Sequence, residues 1–273
     1  MATSVLDLAP FIPGDNALAQ SALPDKAVQL INRAARLTGQ LSPITLATLT
    51  NYMATINSYY SNLIEGNATL PHEIRAAQHG DYSHDAAKRD LQLESLAHIK
   101  VQEWLGEQQP DLQTLFSTDF IRQIHGKFYR HVPENLWLIK DEQDKEVNKV
   151  VPGEWRTCSV KVGLHIPPDA ANLDGLMQRF CDIYQPKNFS GDRKLIAIMA
   201  AHHRFAYIHP FIDGNKRIGL ECLDIFLDYN AEKHLKLNNI NETENMILKI
   251  AANEISRNKV RKWIRESIGD SND

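Results

Sequence analysis

Hydrophobic periodicity most tightly limits the folds open to this chain. Apolar residues recur every three to four positions in run after run, with little strand-like alternation between runs. Leu46, Leu49, Met53, Ile56, Tyr60, Leu63 and Ile64 fall at offsets 0, 3, 7, 10, 14, 17 and 18, one stripe along a helix. Ser42 stands ahead of it as a cap, Pro43 takes its first position, and Gly66 sits just past its end. Backbone punctuation is sparse, with 13 Gly and 12 Pro in 273 residues. Further helices are expected over Asp25–Gly39, Ser83–Gln108, Ser117–Arg130, 168–185, 191–207, 215–230, 242–256 and 257–267. Residues 1–24, with Pro10, Pro13, Gly14 and Pro24, read as an extended leader. Only Val150–Val162 (VVPGEWRTCSVKV) breaks the pattern. Its β-branched residues around a Pro-Gly turn predict a hairpin or irregular flap. The class is all-α with one small β element, and without βαβ alternation it is not a doubly wound fold.

Charge and composition exclude several functions. A net charge of -4 does not suit a nucleic-acid coat and gives no attraction to anionic membranes. No stretch approaches the ~18 consecutive apolar residues of a membrane span. Cys158, Cys181 and Cys222 form no CxxC pair and suit a reduced compartment. The start, MATSVLDLAPFIPGD, lacks a basic n-region. A cytoplasmic protein is expected, without membrane or nucleic-acid partners. Arg257, Lys259, Arg261, Lys262 and Arg265 read as a solvated face.

The chemistry gathers between two apolar-striped helices, in His209–Asn215. Leu195, Ile198, Met199, His202 and Phe205 mark the first helix; Ile218, Cys222, Ile225 and Phe226 mark the second. Gly214 and Asn215 lie just ahead of a helix N-terminus, where unsatisfied amides and the helix dipole favour an anion. Lys216 and Arg217 add cationic donors. Asp213 is a hard oxygen ligand suited to Mg²⁺, which usually bridges phosphates. His209 can accept a proton near neutral pH. These residues suggest group transfer from a nucleotide; the plainer alternative is a helix–loop–helix connection with His209 as a cap. The spacing is not that of a P-loop. His202 and Cys222 lie on apolar stripes and read as core residues. His125 and His131 lack the spacing of a zinc site.

The run His209-Pro210-Phe211-Ile212-Asp213-Gly214-Asn215-Lys216-Arg217 resembles the signature HxFx[DE]GNxRxxR of the Fic (filamentation induced by cAMP) family, closely over 115–230. The resemblance implies a Fic-fold helical bundle with a small β-hairpin flap, and adenylyl transfer from ATP to a protein Ser, Thr or Tyr hydroxyl. It makes His209 the general base, Phe211 a buried anchor and Asp213 the Mg²⁺ ligand. Gly214 and Asn215 would form the anion hole, while Lys216 and Arg217 join them in binding ATP. The motif's final Arg is Leu220 here, which leaves open a Doc-like phosphotransferase or a silent nucleotide-binding module. Ser61-Asn62-Leu63-Ile64-Glu65-Gly66 resembles the family's inhibitory motif [ST]xxxE[GN]. Ser61, Glu65 and Gly66 would thus be regulatory, with Glu65 excluding the γ-phosphate and Arg217 as its partner; an ordinary helix end is the alternative. Gly153 and Arg156 resemble the flap that docks a target segment by strand addition, against the alternative of a plain surface hairpin. Protein substrates (this chain included) and a homodimer complete the implied partners. The expected organisation is a leader and inhibitory-helix region over 1–110, a Fic core over 111–232 and a helical extension over 233–273.

Overall fold

The computed structural model describes residues 9, 11–64, 69–108, 112–140, 145–220 and 222. The helices expected over 242–256 and 257–267, with their basic residues, lie outside that range, as do Glu65 and Gly66. The helices run in order α1 (Asp15–Ala19), α2 (Leu23–Gln40), α3 (Pro43–Ile64), α4 (Pro71–Gln78), α5 (Ala86–Glu107), α6 (Leu112–Leu115) and α7 (Thr118–His131). Strands β1 (Leu138–Lys140) and β2 (Glu146–Lys149) follow, then α8 (Leu173–Ile183) and α9 (Arg193–Ile208). A last described helix, α10, occupies residues 215–220 and includes 222.

The helix starts have local causes. Ser42 Oγ accepts the Thr45 N–H at 3.1 Å and Ser117 Oγ accepts that of Phe120 at 3.2 Å. Helix α5 begins slightly later than Ser83 suggests, because Asp85 caps it through the Lys88 N–H at 2.9 Å. Helix α4 is an addition to the expected set. Pro71 opens it, the Glu73 carboxylate accepts the Leu70 N–H at 2.7 Å, and Ile74 is wholly buried. Its eight residues are too few to show a period in the sequence.

The core centres on α7. Phe120, Ile121, Ile124 and Phe128 form its buried face, against Ala97, Val101 and Leu105 of α5. Leu176, Met177 and Phe180 of α8 and Ile198, Ala201 and Phe205 of α9 complete the packing. Each fully buried side chain of this size contributes about 1.5–3 kcal/mol. This cluster crosses the boundary expected near 110. The leader is not simply extended: it forms α1, and Leu18 packs with Ala27 and Ile196. Phe11 stacks on His203 at 4.2 Å and donates its N–H to the Tyr184 hydroxyl at 3.1 Å.

Helix α3 exists where its apolar stripe predicts, but that stripe is not its most buried face. Thr55, Ser58, Ser61 and Asn62 are buried instead, while Leu63 is exposed. Ser58 Oγ donates to the Ser95 carbonyl at 3.0 Å, and Asn62 Nδ2 donates to Ser95 Oγ at 2.7 Å. Hydrogen bonds between small polar side chains thus seat α3 on α5.

The β element also lies elsewhere. The hairpin pairs 138–140 with 146–149 antiparallel, in the register Leu138↔Lys149 and Ile139↔Asn148. The Val150–Val162 stretch is irregular, because its backbone and Arg156 bond to neighbouring elements instead of forming a ladder. No described helix is long and apolar enough to cross a membrane.

Helix α7 depends on its cap. Ser117→Ala should lower stability by about 1 kcal/mol. Urea unfolding should show a lower midpoint with an unchanged m-value; an unchanged midpoint would remove the cap from the account.

Candidate functional site

Helix α9 ends against a strained residue. His209 takes the C-terminal cap position at φ 51 and ψ 61, and is the one non-glycine with positive φ among the described residues. A left-handed L-residue costs roughly 1–2 kcal/mol, and glycine usually fills such a position. Arg156 holds it there. Its Nε donates to the His209 carbonyl at 2.8 Å, Nη1 to Cys158 O at 2.8 Å and Nη2 to Pro168 O at 2.5 Å. Its own N–H donates to Pro210 O at 2.9 Å. A guanidinium at a helix C-terminus satisfies orphan carbonyls and complements the dipole. Arg156 is 4% exposed, so its side chain is directed into the protein and not toward a docking segment. Gly153 is also engaged internally. Its φ is +81, a Cβ there would approach Arg122 O to 3.1 Å, and its N–H donates to His125 Nδ1 at 2.8 Å.

The loop beyond His209 is closed by an aromatic stack and two amide hydrogen bonds. Phe211 is fully buried and stacks on His125 at 3.8 Å with an 8° tilt. Asn215 Oδ1 accepts the Phe211 N–H at 2.7 Å, and Asn215 Nδ2 donates to the Phe211 carbonyl at 2.7 Å. The Asn215 side chain therefore staples the loop, a role the sequence did not indicate. Ile218 N–H bonds to Gly214 O at 3.0 Å, so the amides of 215–217 precede the first intrahelical bond.

The charged groups lie at the far end of the loop. Tyr129 Oη donates to Asp213 Oδ2 at 2.7 Å. Gly214 has φ +74, and a Cβ would meet the Tyr129 ring at 3.2 Å, which together favour glycine there. Arg217 is 1% exposed; its Nη2 contacts Glu94 Oε1 at 2.6 Å and Asn62 Oδ1 at 3.3 Å. Its guanidinium lies over the Phe128 ring at 5.2 Å. Lys216 is exposed, and Leu220 is buried in the core. Ser61 is fully buried one residue before Asn62, so the end of α3 reaches the site through Arg217.

Burial sets the protonation states. The His209 imidazole is pushed down to about 4 by burial and then by the Arg156 charge, partly opposed by a hydrogen bond with the Ala206 backbone and by Asp213. It is neutral at pH 7. His125 also falls to about 4, chiefly through burial. Burial followed by the Asp213 charge holds the Tyr129 hydroxyl protonated well above its ordinary range. Burial raises the Glu94 carboxyl, and Asp213 adds to that rise against the lowering effect of Arg217.

The arrangement can hold a neutral base at one end and a phosphate-sized anion at the other. Among the described residues no group of three or more His, Cys, Asp or Glu side chains could hold a metal. A single carboxylate, Asp213, nevertheless suits Mg²⁺ that brings most of its own oxygen ligands. His202 is half-buried against the core, with Nδ1 3.2 Å from the Gly219 carbonyl. Tyr129, Glu94, Asn62 and His125 were not among the expected site residues. Glu94 and His98 interrupt the stripe Leu91, Val101, Leu105 of α5, and His125 and Tyr129 share the inward face of α7 at i, i+4. Polar groups on an otherwise apolar face were the available signal.

Two outcomes follow from this geometry. Arg156→Ala should destabilise the fold by about 3 kcal/mol, since several buried carbonyls lose their donor. Arg156→Lys should recover little of it, because an ammonium cannot span them; full recovery in urea unfolding would refute the fork's role. Separately, unfolded His125 titrates at its ordinary 6.5 but the folded residue does so only at about 4. Its contribution is present above pH 6.5 and drains away toward pH 4, by roughly 3 kcal/mol. His125→Phe should flatten that part of the stability–pH curve.

Comparison with known proteins agrees with the geometry. Residues 115–227 match the model of the Fic/DOC family. A protein adenylyltransferase Fic from Drosophila willistoni is 41% identical over 71 residues, which is 26% of this chain and 14% of that protein. The relative from Drosophila erecta gives the same identity and coverage. The match thus spans about one seventh of these curated relatives. A Fic family protein from Desulfovibrio desulfuricans G20 superposes with a TM-score of 0.59 at 18% identity, over 86% of this chain and 68% of that one. Residues 134–508 of Fic-1 from C. elegans give 0.58 at 16% identity, over 87% and 74%. Residues 115–227, with the loop from His209 to Arg217 near their end, therefore carry the match to the Fic/DOC family.

Proposed function

We propose that this chain is a protein adenylyltransferase, transferring AMP from ATP to a Ser, Thr or Tyr hydroxyl of a protein. The observation that carries the reading is the stapled loop, with a neutral imidazole at one end and Asp213 and Arg217 at the other. The His209 nitrogen not engaged with the Ala206 backbone takes the proton of the incoming hydroxyl. That oxygen bonds to the α-phosphorus, the bond from it to the β-phosphate oxygen breaks, and pyrophosphate leaves. Arg217, Lys216 and the first amides of α10 hold the phosphates; the Asn215 staple keeps those amides in place. Phe211, buried beneath, fixes the loop against α7. Mg²⁺, held through Asp213, would neutralise phosphate charge. Positioning and charge compensation do the work, without a covalent enzyme intermediate.

Regulation belongs to the same proposal. Ser61, Glu65 and Gly66 form an inhibitory motif, and Asn62 within it touches Arg217 at 3.3 Å. A Glu65 carboxylate in the γ-phosphate position would repel the nucleotide. The exposed hairpin and the turn carrying Leu164 and Ile166 offer the surface for a target segment, this chain or a second copy included. Buried Leu220 cannot act as the motif's final Arg, and this favours weak ATP binding in the unmodified chain.

Intact mass after incubation with Mg²⁺–ATP tests the reading, using the Glu65→Gly form with candidate targets. A gain of one AMP per acceptor is expected, lost in His209→Ala and smaller in the unmodified chain. A gain of one phosphate would replace adenylyl with phosphoryl transfer. No gain on any protein would overturn the enzymatic reading.

A further inference from the structure

Resting on the adenylyltransferase reading, we propose that Glu94 on α5 sets the affinity of the phosphate site. It holds Arg217 against the protein, so that a polyphosphate must compete with an internal carboxylate for the same guanidinium. Glu94 lies outside the loop motif and outside the Ser61–Gly66 segment, and reaches the site from a different helix. Its Oε1 meets Arg217 Nη2 at 2.6 Å, with side chains 14% and 1% exposed. The contact is thus a charge-assisted hydrogen bond in a largely dry setting, where it is strong. Asn62 Oδ1 takes the same Nη2 at 3.3 Å, and Phe128 lies beneath the guanidinium at 5.2 Å.

The local charge balance makes Glu94 a competitor. Asp213 and Glu94 are near enough that the Asp213 charge opposes ionisation of Glu94. Two carboxylates therefore share the field of Arg217. The other cations nearby do not replace it: Lys216 is exposed, and Arg156 is bonded to four backbone carbonyls. Each phosphate oxygen drawn toward Arg217 meets the negative charge of Glu94 as well as the attraction of the guanidinium. Replacing the carboxylate by an isosteric amide removes that opposition and leaves a buried cation short of an anion. Such a cation is costly until something negative compensates it, and a bound polyphosphate would do so.

Calorimetric titration of the full chain with Mg²⁺–ATP, and with magnesium pyrophosphate, tests this. Glu94→Gln should bind both probes about tenfold more tightly than the unmodified chain. Its unliganded melting temperature should be lower, with the gap closing when pyrophosphate is added. Glu94→Asp, which keeps the charge but shortens its reach, should fall between the two. If Glu94→Gln does not fold, Glu94→Asp decides alone. Equal or weaker affinity in a folded variant overturns the role of Glu94 while AMP transfer by the unmodified chain still stands. If neither the unmodified chain nor any variant binds either probe, the adenylyltransferase reading fails and this inference fails with it.

Discussion

The site depends on the way one buried arginine closes the end of α9. A helix leaves its last carbonyls without intrahelical donors, and here that end is partly buried, with Ile208 and Pro210 packed inside. Arg156 supplies the donors from a segment more than fifty residues earlier in the chain. Its planar fork bonds several carbonyls at once, which a lysine cannot do. The backbone at His209 can then turn left-handed, and the chain leaves α9 in a direction that sends Phe211 into the core. Every later contact of the loop inherits that direction. The Asn215 staple and the start of α10 both require Phe211 to be where Arg156 allows it to go.

Helix α7 supplies the opposite wall, and its i, i+4 spacing explains how one helix serves both ends of the loop. His125 lies flat on Phe211, and Tyr129, one turn on, bonds Asp213. Tyr129 passes so close to residue 214 that a Cβ there would crowd its ring, and the φ of +74 adds strain for any residue but glycine. The same helix lies in the apolar core, so the loop is braced by a well-buried element. Pre-organisation of this kind matters for phosphoryl-type chemistry, in which the protein contributes position and charge more than covalent bonds.

Helical periodicity made most of the fold legible, since α2, α3, α5, α7, α8 and α9 each carry long apolar repeats. Helix α4 escaped because eight residues cannot display a period. Val150–Val162, read as a hairpin or irregular flap, is irregular because its β-branched residues have no partner strand, and the hairpin lies a dozen residues earlier. The loop motif was legible as chemistry because His209, Asp213 and Arg217 are adjacent in sequence. Their partners were not. Arg156, Tyr129, Glu94 and Asn62 reach the loop from four other segments, and no local spacing encodes such contacts. Arg156 resembled a surface flap residue, yet the carbonyls at the end of α9 draw it inside.

The polar inward face of α3 follows from the same logic and bears on how the site is controlled. An apolar stripe gains free energy roughly in proportion to the area it buries, and tolerates small shifts in register. A seam of Ser58, Asn62 and Ser95 does not, because hydrogen bonds weaken steeply once distance or angle is lost. Those bonds therefore fix one register of α3 on α5. Asn62 bonds Ser95 through its amide nitrogen and Arg217 through its carbonyl oxygen, so one side chain joins the seam to the site. Loss of that register removes a partner from Arg217 at the same moment. The position of α3 thus bears on the guanidinium through Asn62, while the Glu94 contact comes from α5.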